Sequence, residues 1–187
     1  MSLPHSVVLI GFMASGKSHV ARLISKHFDA PVIDLDARIE AACGASIASV
    51  FVAHGEKYFR EQEAETLKQV LQESAEKPSI IATGGGVVTS DANRNLLQQA
   101  TKDGVAVIYL RATPETLAQR IRQEPGKRPL IDGDRILDME ETQERVKVLL
   151  EGRRAFYESC ANIIVDTNES DASNVAADIV ERLNFSL

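Results

Sequence analysis

A three-layer α/β fold, a central five-stranded parallel sheet flanked by helices, is what this sequence of 187 residues predicts, and three observations predict it. Five short apolar runs lack alternation, longer polar–apolar segments lie between them, and a glycine-rich turn ending in Gly-Lys-Ser follows the first run. Unbroken β-branched runs suit strands buried on both faces, as in a parallel sheet covered by helices. Strand alternating with helix implies βαβ units, with right-handed crossovers. The length suits one domain, 1–187, with one substantial core.

The first strand is Val7-Val8-Leu9-Ile10. After it, Gly11-Phe12-Met13-Ala14-Ser15-Gly16-Lys17-Ser18 fits G-x-x-x-x-G-K-[ST] in full, and a helical segment, Lys17 to Phe28, comes next. Gly11 and Gly16 let the backbone turn tightly and aim N–H groups at phosphate oxygens. The helix start adds partial positive charge. Lys17 reaches the β and γ phosphates of ATP, and Ser18 offers a hydroxyl to Mg²⁺. Gly11, Ala14, Ser15, Gly16, Lys17, Ser18 and His19 are therefore the candidate nucleotide-binding residues. No N-K-x-D guanine-reading motif and no L-S-G-G-Q signature is present, which argues against a GTPase or a transporter ATPase. A small-metabolite or nucleotide kinase remains favoured, against a nucleotide-binding module without transfer.

The second run, Val32-Ile33-Asp34-Leu35, leads into Asp36. Strand alternation puts Asp34 and Asp36 on one side, at a strand end that borders the ligand crevice of an open α/β sheet. One carboxylate suits a water of the Mg²⁺ shell, and the other suits a hydrogen bond from an attacking hydroxyl. Asp36 also suits a plain helix cap. A helix over Glu56 to Ser74 carries Arg60. The third run, Ile80-Ile81-Ala82, leads to Gly84-Gly85-Gly86, read as a turn with torsions closed to other residues that a ligand approaches closely. A helix over Asp91 to Thr101, a strand over Val105 to Leu110 and a helix over Glu115 to Gln123 come next. Glu124-Pro125-Gly126-Lys127-Arg128-Pro129 breaks the pattern and suits a mobile loop that brings Arg128 over the phosphates. A helix over Glu140 to Tyr157 carries Arg153, and the strand Ile163-Ile164-Val165 and a helix over Ala172 to Leu183 complete the series. Local reasoning does not separate Arg60, Arg128 and Arg153 from surface arginines.

Hydrophobic residues make up 44% and charged residues 26%, as in ordinary globular proteins. The net charge of −6 argues against a nucleic-acid or anionic-membrane partner but leaves room for a local basic cleft. Cys43 and Cys160 form no CxxC pair, and suit idle thiols in a reducing compartment rather than a disulfide framework or a zinc site. The first residues do not resemble a secretory signal, and no apolar run approaches ~20 residues. A cytoplasmic monomer is expected.

Taken together, these segments resemble the shikimate kinase family of P-loop small-molecule kinases, which are similar to nucleoside monophosphate kinases. The matching stretches are Gly11 to Ser18, Asp34-x-Asp36, Gly55-Glu56-x-x-Phe59-Arg60-x-x-Glu63, Gly84-Gly85-Gly86, Arg128-Pro129-Leu130, Arg153-x-x-x-Tyr157 and Asp166-Thr167-Asn168. The resemblance implies transfer of the γ-phosphoryl of ATP to the 3-hydroxyl of shikimate, with Mg²⁺. By it, Asp36 binds the acceptor hydroxyls and serves as base, and Asp34 lies near Mg²⁺. Arg60 and Arg153 grip the acceptor carboxylate, with Arg154 the alternative register. Gly84, Gly85 and Gly86 contact the ring, and Phe51 and Phe59 wall the pocket. Lys17 and Arg128 stabilise the transferring phosphoryl, Arg128 from a lid over 122–136. Arg122 lies against adenine. Segment 36–64 forms the acceptor-binding part.

Overall fold

The computed structural model describes residues 3–123, 131, 137–168 and 170–185. All five expected strands form, as β1 (Val7–Ile10), β2 (Val32–Asp34), β3 (Ile80–Ala82), β4 (Ala106–Arg111) and β5 (Ile163–Asp166). Every pairing is parallel and the order is β2-β3-β1-β4-β5. β1 thus lies between β3 and β4, so the chain leaves the sheet in opposite directions on its two sides. That is the switch point beside which open α/β sheets bind ligands.

The helices are α1 (Lys17–Phe28), α2 (Leu35–Cys43), α3 (Ile47–Glu76), α4 (Asp91–Lys102), α5 (Pro114–Arg122), α6 (Met139–Cys160) and α7 (Ala172–Phe185). Two cores separate them. Val7, Leu9, Ile80, Ile108 and Leu110 pack with Val20, Ile24 and Phe28 of α1 and Val175 and Ile179 of α7. From the same strands, Val8, Ile10, Ile81, Val107 and Tyr109 point the other way, to Leu35 and Ile39 of α2, Leu67 and Val70 of α3, Leu97 of α4 and Val146, Leu150 and Tyr157 of α6. Successive strand residues face opposite sides, and both sides are covered, which is why the strand sequences show no polar alternation.

The second strand is shorter than its sequence suggests, and this corrects the placement of Asp36. β2 stops at Asp34, whose side chain caps α2 by accepting from the Ala37 amide at 3.2 Å. Asp36 is therefore a first-turn helix residue rather than a strand residue, and the cap is Asp34, not Asp36. Segment 47–54, unassigned in sequence, is helical: Ser46 caps α3 by accepting from the Ser49 amide, and Gly55, at φ 79° and ψ 175°, breaks the helix before Glu56. Both cysteines are free, Cys160 buried and Cys43 half-buried. The expected lid, apart from Arg122, Gln123 and Ile131, lies outside the described residues, and so does Arg128.

Candidate active site

The loop after β1 is shaped by close contact. At Gly11, with φ 149°, an added Cβ would lie 2.7 Å from the Leu110 carbonyl oxygen and 2.9 Å from Ser15 Oγ. Ala14 takes φ 61°, a conformation that L-residues adopt at a cost of roughly 1–2 kcal/mol. Gly16, at φ 96°, precedes α1 and gives that helix no side-chain cap. The partial positive charge of the helix start therefore lies beside the loop with no side chain capping it, a setting that suits an anion. Lys17 is buried, and its ammonium donates to the carbonyls of Gly11 at 2.8 Å and Phe12 at 2.9 Å. It braces the loop from within while lying at the helix start. Ser18 and His19 are exposed on that first turn.

A cleft of 920 Å³ opens along this loop, lined by Ala14 to Val20 and, from the far side, by Arg120, Gln123, Thr167 and Asp171. Two arginines line it among the described residues, Arg22 of α1 and Arg120 of α5, and Arg120 donates to the backbone carbonyl and the hydroxyl of Thr167. Arg122, expected against adenine, donates to the Leu137 carbonyl and is not among the residues lining this cleft. The reason is rotational: residues two apart on a helix lie about 200° apart around its axis. Arg120 and Arg122 both flank buried Ile121, so apolar periodicity alone cannot tell which one faces the loop.

On the other side of β1, three chain segments converge on the glycine turn after β3. A Cβ on Gly84 would lie 2.7 Å from Asp36 Oδ1, one on Gly85 2.8 Å from the Met13 amide nitrogen, and one on Gly86 2.9 Å from Arg60 Nη2. None of the three has positive φ. They are glycines for lack of room, not for special torsions, which corrects one part of the sequence reading. Removing three side chains lets a catalytic-type carboxylate, the phosphate loop and a guanidinium all close on one turn.

Two arginines reach this turn. Arg60 Nη1 donates to the Gly86 carbonyl at 3.3 Å and to Glu63 at 2.8 Å. Arg153 Nη1 donates to the Gly85 carbonyl at 3.5 Å, and its guanidinium lies 5.6 Å from the Phe12 ring centre. Arg153 is half-buried whereas Arg154 is exposed, so the structure brings the former to the turn. Tyr157, one helical turn on, donates to the same Gly85 carbonyl and stacks on Tyr109 at 4.9 Å. Burial pushes the Tyr157 hydroxyl well above its ordinary range, so it stays a donor. Phe51 and Phe59 pack at 4.6 Å on either side of Gly55, Phe59 buried and Phe51 half-buried.

Electrostatics single out Asp36. Burial raises its pKa first, then the neighbouring charge of Asp34, while Lys17 and Arg60 pull it down. A carboxylate poised between two cations and next to a phosphate loop can accept a hydroxyl proton, or orient that hydroxyl, in line with a transferring phosphoryl. Ser18, on the first turn of α1, supplies a hard oxygen donor at the loop, and Asp34 caps α2 at the end of β2. Among the described residues no group of three or more His, Cys, Asp or Glu side chains is arranged for a metal. Arg120 and the buried pair Glu63–Asn93 behind Arg60 are the site-forming residues that the sequence reading did not single out as such.

Comparison with known proteins points the same way. A family model described as shikimate kinase matches residues 13–184. The chain is 35% identical over 178 residues to a shikimate kinase of Enterococcus faecalis, covering 95% of this chain and 98% of that one. It is 37% identical over 180 residues to one of Dictyoglomus turgidum, covering 95% and 96%. The structure of a shikimate kinase from Acinetobacter baumannii in complex with shikimate superimposes with a TM-score of 0.83 at 28% identity, covering 97% of this chain and 94% of that one.

Proposed function

This chain belongs to the shikimate kinase family, and from that premise we propose how its own residues divide the work. The enzyme transfers the γ-phosphoryl of ATP to the 3-hydroxyl of shikimate, giving shikimate 3-phosphate and ADP, a step of aromatic amino-acid biosynthesis. ATP and Mg²⁺ are its cofactors.

In our reading the backbone amides from Gly11 to Ser18 hold the triphosphate, with Lys17 against the β and γ phosphates. Ser18 and Asp34 would hold Mg²⁺, which would supply charge neutralisation on the phosphates. Asp36 accepts the hydrogen bond of the 3-hydroxyl and keeps its oxygen in line. Arg60 and Arg153 take the acceptor carboxylate, because parallel N–H donors match its two oxygens. Gly84 to Gly86 leave room for the ring, and Phe51 and Phe59 bound it. Arg128 stabilises charge on the transferring group.

The observation that carries this reading is the convergence on one turn: Asp36 against Gly84, Arg153 on Gly85 and Arg60 on Gly86. A hydroxyl-orienting carboxylate and two carboxylate-binding cations, set beside a phosphate loop, describe a small hydroxy acid as acceptor. A coupled ADP assay over shikimate, quinate, gluconate, AMP and water tests it. Turnover should be fastest with shikimate, and faster turnover with gluconate or AMP would overturn the assignment.

We further read the enzyme as a cytoplasmic monomer without nucleic-acid or membrane partners. No helix among the described residues is long and apolar enough to cross a membrane. Sedimentation at micromolar concentration checks the oligomeric state, and cell fractionation checks the location.

A further inference from the structure

Arg60 has an inner side that rests on buried protein groups. Behind it, Glu63 is 1% exposed, and its Oε2 accepts both from Arg60 Nη1 at 2.8 Å and from Asn93 Nδ2 at 2.9 Å. Asn93 is fully buried on α4, and the same Nδ2 donates to the Val87 carbonyl at 2.9 Å, one residue past the glycine turn. Chemistry sets the orientation of this amide: turned over, it would put an oxygen against a carboxylate and a carbonyl. As it stands, Asn93 Oδ1 meets no hydrogen-bond partner among the described residues. A buried acceptor left unsatisfied weakens a fold, so what the amide contributes lies in its two donated bonds. Both end on the supports of the acceptor pocket.

We propose that Asn93 is a positioning residue for acceptor binding: through the Glu63 carboxylate it holds the inner edge of the Arg60 guanidinium, leaving the outer edge ordered for the substrate carboxylate. The inner edge, Nη1, is held by Glu63 and Gly86. The outer edge, Nε and Nη2, contacts exposed Glu56 at 3.4 and 3.3 Å, long bonds that an incoming carboxylate can replace. A guanidinium ordered before binding loses less side-chain freedom when the acceptor arrives. Asn93 also joins α4 to α3 and to the turn, so the cation and the glycines keep one spacing. Burial disfavours the charged form of Glu63, and the bonds from Arg60 and Asn93 counter it, so the amide helps to keep the counter-charge of Arg60 in place. This inference rests on the reading of Arg60 as a partner of the acceptor carboxylate.

The test is steady-state kinetics and thermal melting of the full chain as parent, Asn93→Leu, Asn93→Ser, Glu63→Gln, the Glu63→Gln/Asn93→Leu double variant and Arg60→Lys. Asn93→Leu should raise the KM for shikimate about five- to tenfold, with kcat and the KM for ATP within about twofold of the parent. Asn93→Ser, which keeps a hydroxyl donor, should fall between, and it supplies the same readings if the leucine variant does not fold. In the Glu63→Gln background, adding Asn93→Leu should change that KM by less than about twofold, since the amide acts through the carboxylate. Asn93 variants that melt lower but keep the parental KM for shikimate would overturn the proposal, and so would an undiminished effect in the Glu63→Gln background. Arg60→Lys separates the two layers. Parental shikimate KM in Arg60→Lys sinks the reading of Arg60 itself, whereas a raised KM there with parental values in both Asn93 variants sinks only the role of Asn93.

Discussion

The Asp36 carboxyl is subject to two opposed requirements. To orient a hydroxyl it must be ionised, yet burial and the nearby Asp34 charge hold its pKa above the ordinary 3.8. A group whose pKa is raised on folding contributes stability below its unfolded pKa, and that contribution is lost as pH rises through the folded value. In the role proposed for Asp36 activity needs the ionised form, so it should fall as pH drops through the same window. Stability and turnover therefore run in opposite directions at this residue. Asp36→Asn should lower kcat by about 10²-fold or more, since acid–base groups contribute on that scale. It should also melt higher than the parent at pH 7, with the difference closing toward pH 3.8. Calorimetric melts of both proteins over that pH range check this, and an asparagine variant no more stable than the parent at pH 7 would show that burial is not what raises the carboxyl.

Among elements, α3 shows how much of the acceptor side is legible in sequence. The stretch Glu56 to Ser74 carries a plain apolar stripe, with Phe59, Leu67 and Val70 buried, and its helix is expected. The part before Gly55 is not, for a physical reason: Ile47, Val50 and Val52 are β-branched and lower helix propensity, and the glycine after them reads as punctuation. α2 escapes notice because only Leu35 and Ile39 of its nine residues are buried, too short a stripe to set a period. The five strands are legible because each is an unbroken apolar run, and the phosphate loop because its spacing is fixed by backbone geometry. The room left by Gly84 to Gly86 is not, since it depends on Asp36, Met13 and Arg60 arriving from elsewhere. At Gly55, by contrast, torsion is the constraint: φ 79° with ψ 175° belongs to a region open essentially to glycine alone. Gly55→Ala should cost about 1–3 kcal/mol. A loss of that size lowers Tm by several degrees in a chain of this length. Because Gly55 sets the angle between the helical parts carrying Phe51 and Phe59, the KM for shikimate should rise more than the KM for ATP. Equal changes in both constants would mean that the break serves the fold and not the acceptor pocket.

Across the whole molecule, the strand order sorts the chemistry. β1 delivers the phosphate loop at the centre, the β2–β3 side delivers Asp36, the glycine turn and, from α3, Arg60, and the β4–β5 side delivers Arg120 from α5 and Thr167 after β5. In the function proposed above, acceptor and nucleotide would approach the central loop from opposite halves of one sheet, as an in-line transfer between them requires. Arg153 of α6 crosses toward the glycine turn and is the exception, so position in the sheet sorts strands and loops but not every helix. The division makes a kinetic prediction about two neighbouring arginines. Arg120 lines the cleft along the phosphate loop, proposed above to hold the nucleotide, and ties α5 to the end of β5 through Thr167. Burial lowers its pKa, so the cleft holds a partly desolvated cation suited to an anionic or aromatic ligand. Arg120→Ala should raise the KM for ATP about five- to tenfold and leave the KM for shikimate within about twofold. Arg122→Ala, which loses a bond to the Leu137 carbonyl outside the cleft, should change the KM for ATP by less than about twofold, a loss below ~0.4 kcal/mol. The same two variants titrated with ATP alone by calorimetry separate binding from turnover. The reverse ranking, with Arg122 the sensitive position, would mean that α5 presents its other face to the nucleotide and that ATP lies outside the cleft lined by Arg120.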